Sequence, residues 1–437
     1  MKNIRQPGSI LSGCGEYVFE VAGPLFCPYH NVWGRNVYTL AGAFDHNPFL
    51  IIASSTSGSP VVMDAAGRFF GFLTDRAVHG ARFVFDGASR LTIHVPEGQQ
   101  LWVDESGAED SWRRYNRKVL EELEAASAVR DFWCDVEYCT WVEQKAVAQA
   151  TGCEIFEALN HDFIASYIHQ VNELGFPKGK LTIDWGWPTG HETCGDWDVH
   201  TGRFPDLERT VGLIQDNGFT PGLWMAPVWI HPASRTAARS PEWVGPQIYP
   251  ATPDAPRTEE WNYLQVCAGV QEHYEDIFAR FYKIGIRKLK FDMMYAEKEY
   301  MKDLQRIFYR AAKNVSEEIE VEIHQPDIFF TPFCDSVRTN DVLCNGTFPW
   351  WRDLTQIHMD ICRKSAPGRV INLDHIGGND PGISGGTFLE HLEFYRHATG
   401  YPAVSLLPAR FGSTVVDELG RYLHDYTRTR NAVSLYC

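Results

Sequence analysis

Lys290-Phe291-Asp292 closes the apolar segment 286–294 and is the stretch of this chain best suited to chemistry. Side chains alternate along a strand, so Lys290 and Asp292 point the same way. A carboxylate two residues from a lysine is costly to bury without a purpose. In a parallel α/β fold the C-terminal end of such a strand is where active sites sit. Asp292 is therefore the candidate nucleophile, with the Lys290 cation keeping it ionised. Cleavage of a glycosidic bond needs a second carboxyl group to protonate the leaving oxygen. Asp341, ending Arg338-Thr339-Asn340-Asp341, suits that role, and Arg338 could hold substrate or set the acid's environment. Asp335 is its rival in the same stretch. Asp184 would accept hydrogen bonds from sugar hydroxyls, and Trp185, Trp187 and Trp224 would stack on pyranose faces. The competing readings are structural: a buried Lys290–Asp292 pair, a capping role for a lone strand-end aspartate, and core packing for the tryptophans. His324 and His375 also end strand-like segments and read as rim residues or hydroxyl ligands. No HxH or HExxH is present, so no metal is expected.

These residues need elements to bring them together. To about residue 105 the chain reads as all-β, with short runs at 17–21, 37–40, 49–53, 61–63, 69–73, 81–85 and 91–95 separated by turn residues. Residues 107–130 read as a charged connecting helix. From about 131, strand and helix patterns alternate. The strand candidates are 132–141, 180–187, 220–227, 287–293, 319–324, 336–341, 369–375 and 403–408. Helices follow at 163–174, 207–217, 266–284, 297–313, 351–364, 387–399 and 414–429. Only the fifth unit lacks a good helix, because its Phe329-Phe330-Thr331-Pro332-Phe333 is short and carries a proline. Eight such units predict a (β/α)8 TIM barrel, preceded by an N-terminal antiparallel β-sandwich. The expected division is a sandwich over 1–106, a linker helix over 107–130 and a barrel over 131–437. A doubly wound sheet is the alternative, but no glycine-rich phosphate fingerprint follows an early strand. In the barrel, the second strand ends in Asp184-Trp185-Gly186-Trp187, the sixth in Asn340-Asp341 and the seventh in Leu373-Asp374-His375, all on one rim. The proline-rich connection 228–263 would wall the cleft.

Composition limits the partners. The 437 residues carry a formal charge of -16, which argues against nucleic acid and against an anionic membrane surface. No apolar run approaches the ~18 residues of a membrane span, and the N-terminus lacks the apolar core of a signal peptide. The 11 cysteines contain no CxxC pair, so reduced thiols and a cytoplasmic protein are expected. The 14 tryptophans suit either a sugar cleft or a large aromatic core. No cofactor is expected, the partner is a glycoside or oligosaccharide, and a homo-oligomer is left open.

Several motifs together carry a resemblance. They are Asp184-Trp185-Gly186-Trp187, Gly195-Asp196-Trp197, Gly202-Arg203-Phe204-Pro205-Asp206-Leu207 and Gly218-Phe219-Thr220-Pro221-Gly222-Leu223-Trp224. With Lys290-Phe291-Asp292 and the segment from Cys334 to Asp341, they resemble the clan of retaining α-galactosidases (melibiases) over about 131–410. The resemblance implies a retaining exo-α-glycosidase with Asp292 as nucleophile and Asp341 as acid/base. It further implies that Lys290 and Arg338 bind hydroxyls and that Asp184 grips the sugar's distal edge. Three features depart from the clan's pattern. Trp185 stands where a second aspartate is usual, the cysteine- and glycine-rich turn after the fifth strand is missing, and no C-terminal β domain is expected. A related α-glucosidase family shares the barrel and both aspartates, so α-glucoside or α-xyloside cleavage is the alternative. A non-catalytic carbohydrate-binding barrel is the alternative outside enzymes, and a metal-dependent hydrolase the third.

Overall fold

The computed structural model describes residues 8–23, 25–28, 38–40, 61–73, 82–86, 88–123, 128–247, 262–294, 298–324, 328–339, 342–344 and 351–436. Its N-terminal part is two antiparallel sheets. The larger has the spatial order Ser9–Leu11, Leu101–Asp104, Phe69–Phe72, Val61–Asp64, Leu25–Pro28, Tyr38–Leu40. The smaller pairs Arg90–Val95 with Gly15–Glu20 on one side and Arg82–Phe85 on the other. Val62, Phe70, Phe72, Leu101 and Val103 meet Phe83, Phe85, Leu91, Ile93 and Val95 in one core between them, as the alternation of their strands requires. Three strands were not anticipated from sequence: Ser9–Leu11, Leu25–Pro28 and Leu101–Asp104. They are three or four residues long, too short for a period-2 signal to stand out. The expected strand 49–53 lies outside the described residues.

The connecting helix is shorter than its charge pattern suggests, Ala108–Leu120. It is also more than a linker. Trp112, Tyr115 and Val119 pack with Phe69, Ile328, Phe329 and Tyr436, joining both parts of the chain in one apolar cluster. The Tyr115 hydroxyl donates to the Phe72 carbonyl at 2.6 Å. Asn116 Nδ2 donates to the carbonyls of Lys364 at 2.7 Å and Tyr436 at 3.1 Å. Gly71 permits this approach, since a Cβ there would sit 2.5 Å from the Tyr115 ring.

Eight parallel strands close the barrel: Glu137–Cys139, Lys180–Ile183, Thr220–Met225, Lys288–Phe291, Glu320–Ile323, Ser336–Arg338, Val370–His375 and Tyr401–Val404. The first expected strand, 132–141, contracts to Glu137–Cys139. Asp131–Cys134 forms a 3-10 turn before it and the helix Trp141–Thr151 begins after it. The fifth unit has the short 3-10 turn Ile328–Phe333, with Pro332 inside it, in place of a full helix. In the connection after the third strand, Trp229–Ile230, Val244–Gln247 and Asn262–Leu264 form a small antiparallel sheet.

The inward faces of the barrel are charged where aliphatic layers are usual. In the layer nearest the strand starts, Lys180 Nζ lies 3.1 Å from both carboxylate oxygens of Glu320, and Ser336 Oγ donates to Glu320 at 2.7 Å. In the next layer, Lys288 Nζ bridges Glu137 at 2.7 Å and Glu322 at 2.6 Å. Asn372, Thr182 and Tyr401 donate to the same two glutamates. Gly222 completes this layer from the third strand; a Cβ there would lie 2.6 Å from Thr182 Oγ1. The Glu137 carboxyl is pushed up by burial but held low by Lys288, Lys180 and Lys290. Removing one partner of such a set leaves an uncompensated buried charge. Lys288→Met is therefore expected to cost about 3–5 kcal/mol, measured by urea unfolding at pH 7.

Candidate active site

The third inward layer opens at the C-terminal rim. Asp292 follows the fourth strand, and Met293 beside it adopts a positive φ of 55°. The Met293 N–H donates back to Asp292 Oδ1 at 2.9 Å. This sharp exit turns the carboxylate to the mouth of the barrel. Its side chain stays 19% exposed, whereas Lys290, Asp184 and Arg338 around it are almost enclosed. A substrate can thus reach Asp292 while its supports stay dry.

Arg338 Nη2 donates to Asp292 Oδ1 at 3.0 Å, and the Trp224 indole N–H donates to Oδ2 at 3.0 Å. His324 Nε2 lies 3.8 Å from Oδ1 and accepts the Met294 N–H at 3.2 Å. Burial opposes the charge on Asp292. Arg338, His324, Lys290 and the Trp224 hydrogen bond outweigh it and hold the carboxyl well below the usual carboxylate range. The group is an anion with its lone pairs partly directed at the opening.

Lys290 has a different first partner from the one its sequence position suggests. Its Nζ lies 2.7 Å from Asp184 Oδ2 and 3.6 Å from Cys139 Sγ. Burial would drive off its proton, but the Asp184 carboxylate keeps it strongly protonated. Asp184 also accepts the Trp185 N–H at 2.8 Å on Oδ1 and the Cys139 thiol at 3.1 Å on Oδ2. Arg338, expected to bind hydroxyls, meets carboxylates: Asp292, Asp374 Oδ2 at 3.3 Å from Nη1, and Glu322 Oε1 at 3.7 Å from Nε. It sets the charge and orientation of the Asp292 carboxylate.

The tryptophans form a stack. Trp185 lies nearly parallel to Trp224, with centroids 5.0 Å apart and planes 9° apart. Trp141 is stacked on Trp185 at 6.4 Å and 15°. Trp229 and Trp197 meet the Trp224 ring edge-on. Trp185 thus stacks against two other rings, and Trp224 against one. Trp187 is fully buried, gives its N–H to the Trp224 carbonyl at 2.7 Å and packs edge-on against Phe281. It is a packing residue, corrected from the expected stacking surface because the turn after the second strand carries it against Phe281 of the helix Val270–Lys283. A cleft of about 350 Å³ beside the stack is lined by Trp185, Trp224, Trp229, Trp197, Cys194 and Arg203, among others.

His375 is buried next to Asp374, with Nε2 3.7 Å from Oδ1. Asp341 lies outside the described residues, and with it the distance between the two expected carboxyl groups. Asp335 is settled as structural. It is fully buried at the start of the sixth strand, accepting from Lys313 at 2.7 Å, Tyr309 at 3.1 Å and the Val321 N–H at 2.8 Å. Glu322, Cys139 and Asp374 were given no role from sequence. The pattern Glu320-Val321-Glu322-Ile323, two acids at strand spacing beside the matching Lys288 and Lys290, is the signal that could have found the first. Among the described residues, no group of three or more His, Cys, Asp or Glu is placed to hold a metal ion.

No family model matches the chain. Among solved structures, its fold is similar to an α-galactosidase from Thermus thermophilus in complex with stachyose. The TM-score is 0.66 at 16% identity, covering 95% of this chain and 93% of that one. It is similar also to the GH36 α-galactosidase AgaA from Geobacillus stearothermophilus, with a TM-score of 0.63 at 15% identity, covering 96% of this chain. An α-galactosidase from Lactobacillus brevis matches with a TM-score of 0.62 at 14% identity. The chain spans 63% of the Geobacillus protein's length and 60% of the Lactobacillus protein's. The shared architecture is a (β/α)8 barrel behind an N-terminal β-sandwich.

The depressed Asp292 carboxyl makes stability depend on pH. A carboxyl held below its ordinary value of 3.8 stabilises the fold above that pH and loses the contribution as pH falls towards its folded value. The stability difference between wild type and Asp292→Asn is expected to be constant from pH 7 to 5. It should shift against the wild type below about pH 4, measured by urea unfolding at each pH.

Proposed function

We propose that this chain is a cytoplasmic retaining exo-α-glycosidase, with α-galactosides as its first candidate substrates. One observation carries the reading: Asp292 is an ionised carboxylate, oriented by Arg338 and Trp224, at the open rim of the barrel. A carboxylate of that kind attacks an anomeric carbon, and a second carboxyl group protonates the departing oxygen and later activates water. Asp341 takes the second role on the strength of the motif it ends. Support for the sugar comes from the structures of similar fold, α-galactosidases solved with stachyose, raffinose and p-nitrophenyl α-D-galactopyranoside. Asp184 and Lys290 form the polar floor on which a sugar's distal hydroxyls would rest.

Trp185 keeps α-glucosides and α-xylosides as a second reading. The indole sits between Trp141 and Trp224 and supplies a stacked ring where a second carboxylate would accept a hydroxyl. The test is a panel of nitrophenyl α-galactoside, α-glucoside, α-xyloside and α-N-acetylgalactosaminide. Wild type is expected to turn over one of them, and Asp292→Ala to lose at least ~10⁴-fold, since a covalent step disappears. Asp341→Ala should fall about 10²–10⁴-fold on an unactivated disaccharide. It should fall much less in the glycosylation step on the nitrophenyl glycoside, whose leaving group departs without a proton. Sugar-dependent thermal stabilisation without turnover would instead mark a binding barrel.

A further inference from the structure

Asp374 has no part in the chemistry described so far, yet the backbone is bent to place it. It lies on the seventh strand, at a point where the pairing with the eighth strand slips between Asn372 and His375. Its φ is 66°, a left-handed conformation that a non-glycine residue rarely holds. Three contacts maintain it. The Asp374 N–H donates to Asn372 Oδ1 at 2.9 Å, and the buried Tyr395 hydroxyl bonds the carbonyls of Leu373 at 2.7 Å and Asp374 at 3.0 Å. Bulges and strained residues held this firmly gather at functional sites.

The bend directs the Asp374 carboxylate at Arg338. Oδ2 lies 3.3 Å from Nη1, while Nη2 of the same guanidinium is 3.0 Å from Asp292. A guanidinium is planar, so fixing one Nη fixes where the other points. Glu322, 3.7 Å from Nε, is a competing carboxylate deeper in the barrel.

We propose that Asp374 is a positioning residue: it anchors one Nη of Arg338 at the rim so that the other is presented to Asp292. Its role in turnover rests on the glycosidase reading above; its effect on Asp292 does not. Among the described residues, the charged and titratable groups facing this triad include Lys290 and Asp184 from the fourth and second strands, Cys139 from the first, and Glu322 and His324 from the fifth. His375 follows Asp374 on the seventh, and Cys362 lies on the helix Trp351–Ser365.

Charge and geometry predict opposite shifts. Deleting an anion near Asp292, with nothing else changed, makes its carboxyl easier to ionise. Deleting the anchor of Arg338 makes it harder, because the arginine contact is lost. Asp374→Asn keeps an oxygen for Arg338, and Asp374→Ala does not. The measurement is a carbon-13 titration of aspartate-carboxyl-labelled protein, with Asp292→Asn assigning the resonance and thermal melting confirming that each variant is folded. In Asp374→Ala the Asp292 carboxyl is expected to titrate upward by about one pH unit or more. In Asp374→Asn, which keeps the anchoring oxygen and removes the charge, it should stay at or below the wild-type position. On whichever glycoside the wild type cleaves, the acid limb of kcat/KM should move up in the alanine variant alone, with kcat lowered more than KM is raised. A folded Asp374→Ala whose Asp292 titrates at or below the wild-type position would overturn the proposal. So would equal effects of the two variants. If wild type cleaves none of the glycosides, the glycosidase reading fails, and the carbon-13 titration still decides the role of Asp374.

Discussion

Every charge inside this barrel has to be matched, and that requirement organises the molecule. Lys180, Lys288, Lys290 and Arg338 occupy the interior with Glu137, Glu320, Glu322 and Asp184, each at most a few per cent exposed. An isolated ion there would cost several kcal/mol. The eight strands must therefore arrive in the register that sets Lys180 against Glu320 and Lys288 between Glu137 and Glu322. A slip of one residue on the fourth or fifth strand would send its ions into the apolar layer under the helices and turn Leu289 or Val321 inward. The network adds less to net stability than its hydrogen bonds suggest, because desolvation offsets them. What it contributes is a single acceptable register.

The same network supplies the site. Its layers are linked by shared partners, from Lys288 through Glu322 to Arg338 and from there to Asp292. The nucleophile candidate is the end member of an ion-pair lattice, placed where the lattice meets solvent. Its surroundings are pre-set: three donors on its oxygens, a positive-φ residue behind it, and a tryptophan whose own ring is locked in a stack. Preorganised groups of this kind need no rearrangement when charge moves in a reaction. The aromatic residues act as a rigid frame for this arrangement, and the Trp224 N–H faces it.

The N-terminal sandwich bears on the site indirectly. Trp112 and Tyr115 of the helix Ala108–Leu120 reach the 3-10 turn that replaces the fifth helix, through Ile328 and Phe329. A short connection leaves one sector of the barrel wall without a helix of its own. The linker helix covers that sector.

Strand and helix periods, the strand-end acids and the Lys-x-Asp spacing are local properties, and they were readable without coordinates. They gave the barrel, the eight strand positions to within a few residues, and Asp292 as the group at the rim. Pairing is not local. Lys290 sits two residues from Asp292, yet its closest carboxylate is Asp184, 106 residues away, because barrel closure brings the second strand alongside that layer. Arg338 and Asp374 meet across 36 residues only after the seventh strand bulges. Whether a tryptophan at a strand end offers a face or an edge depends on which rings lie above and below it, and Trp185 met Trp141 and Trp224. The sequence determined which residues stand on each strand's inner face. The closing of the barrel decided which of them touch, because contact distances of 3 Å are set by register and twist summed around eight strands.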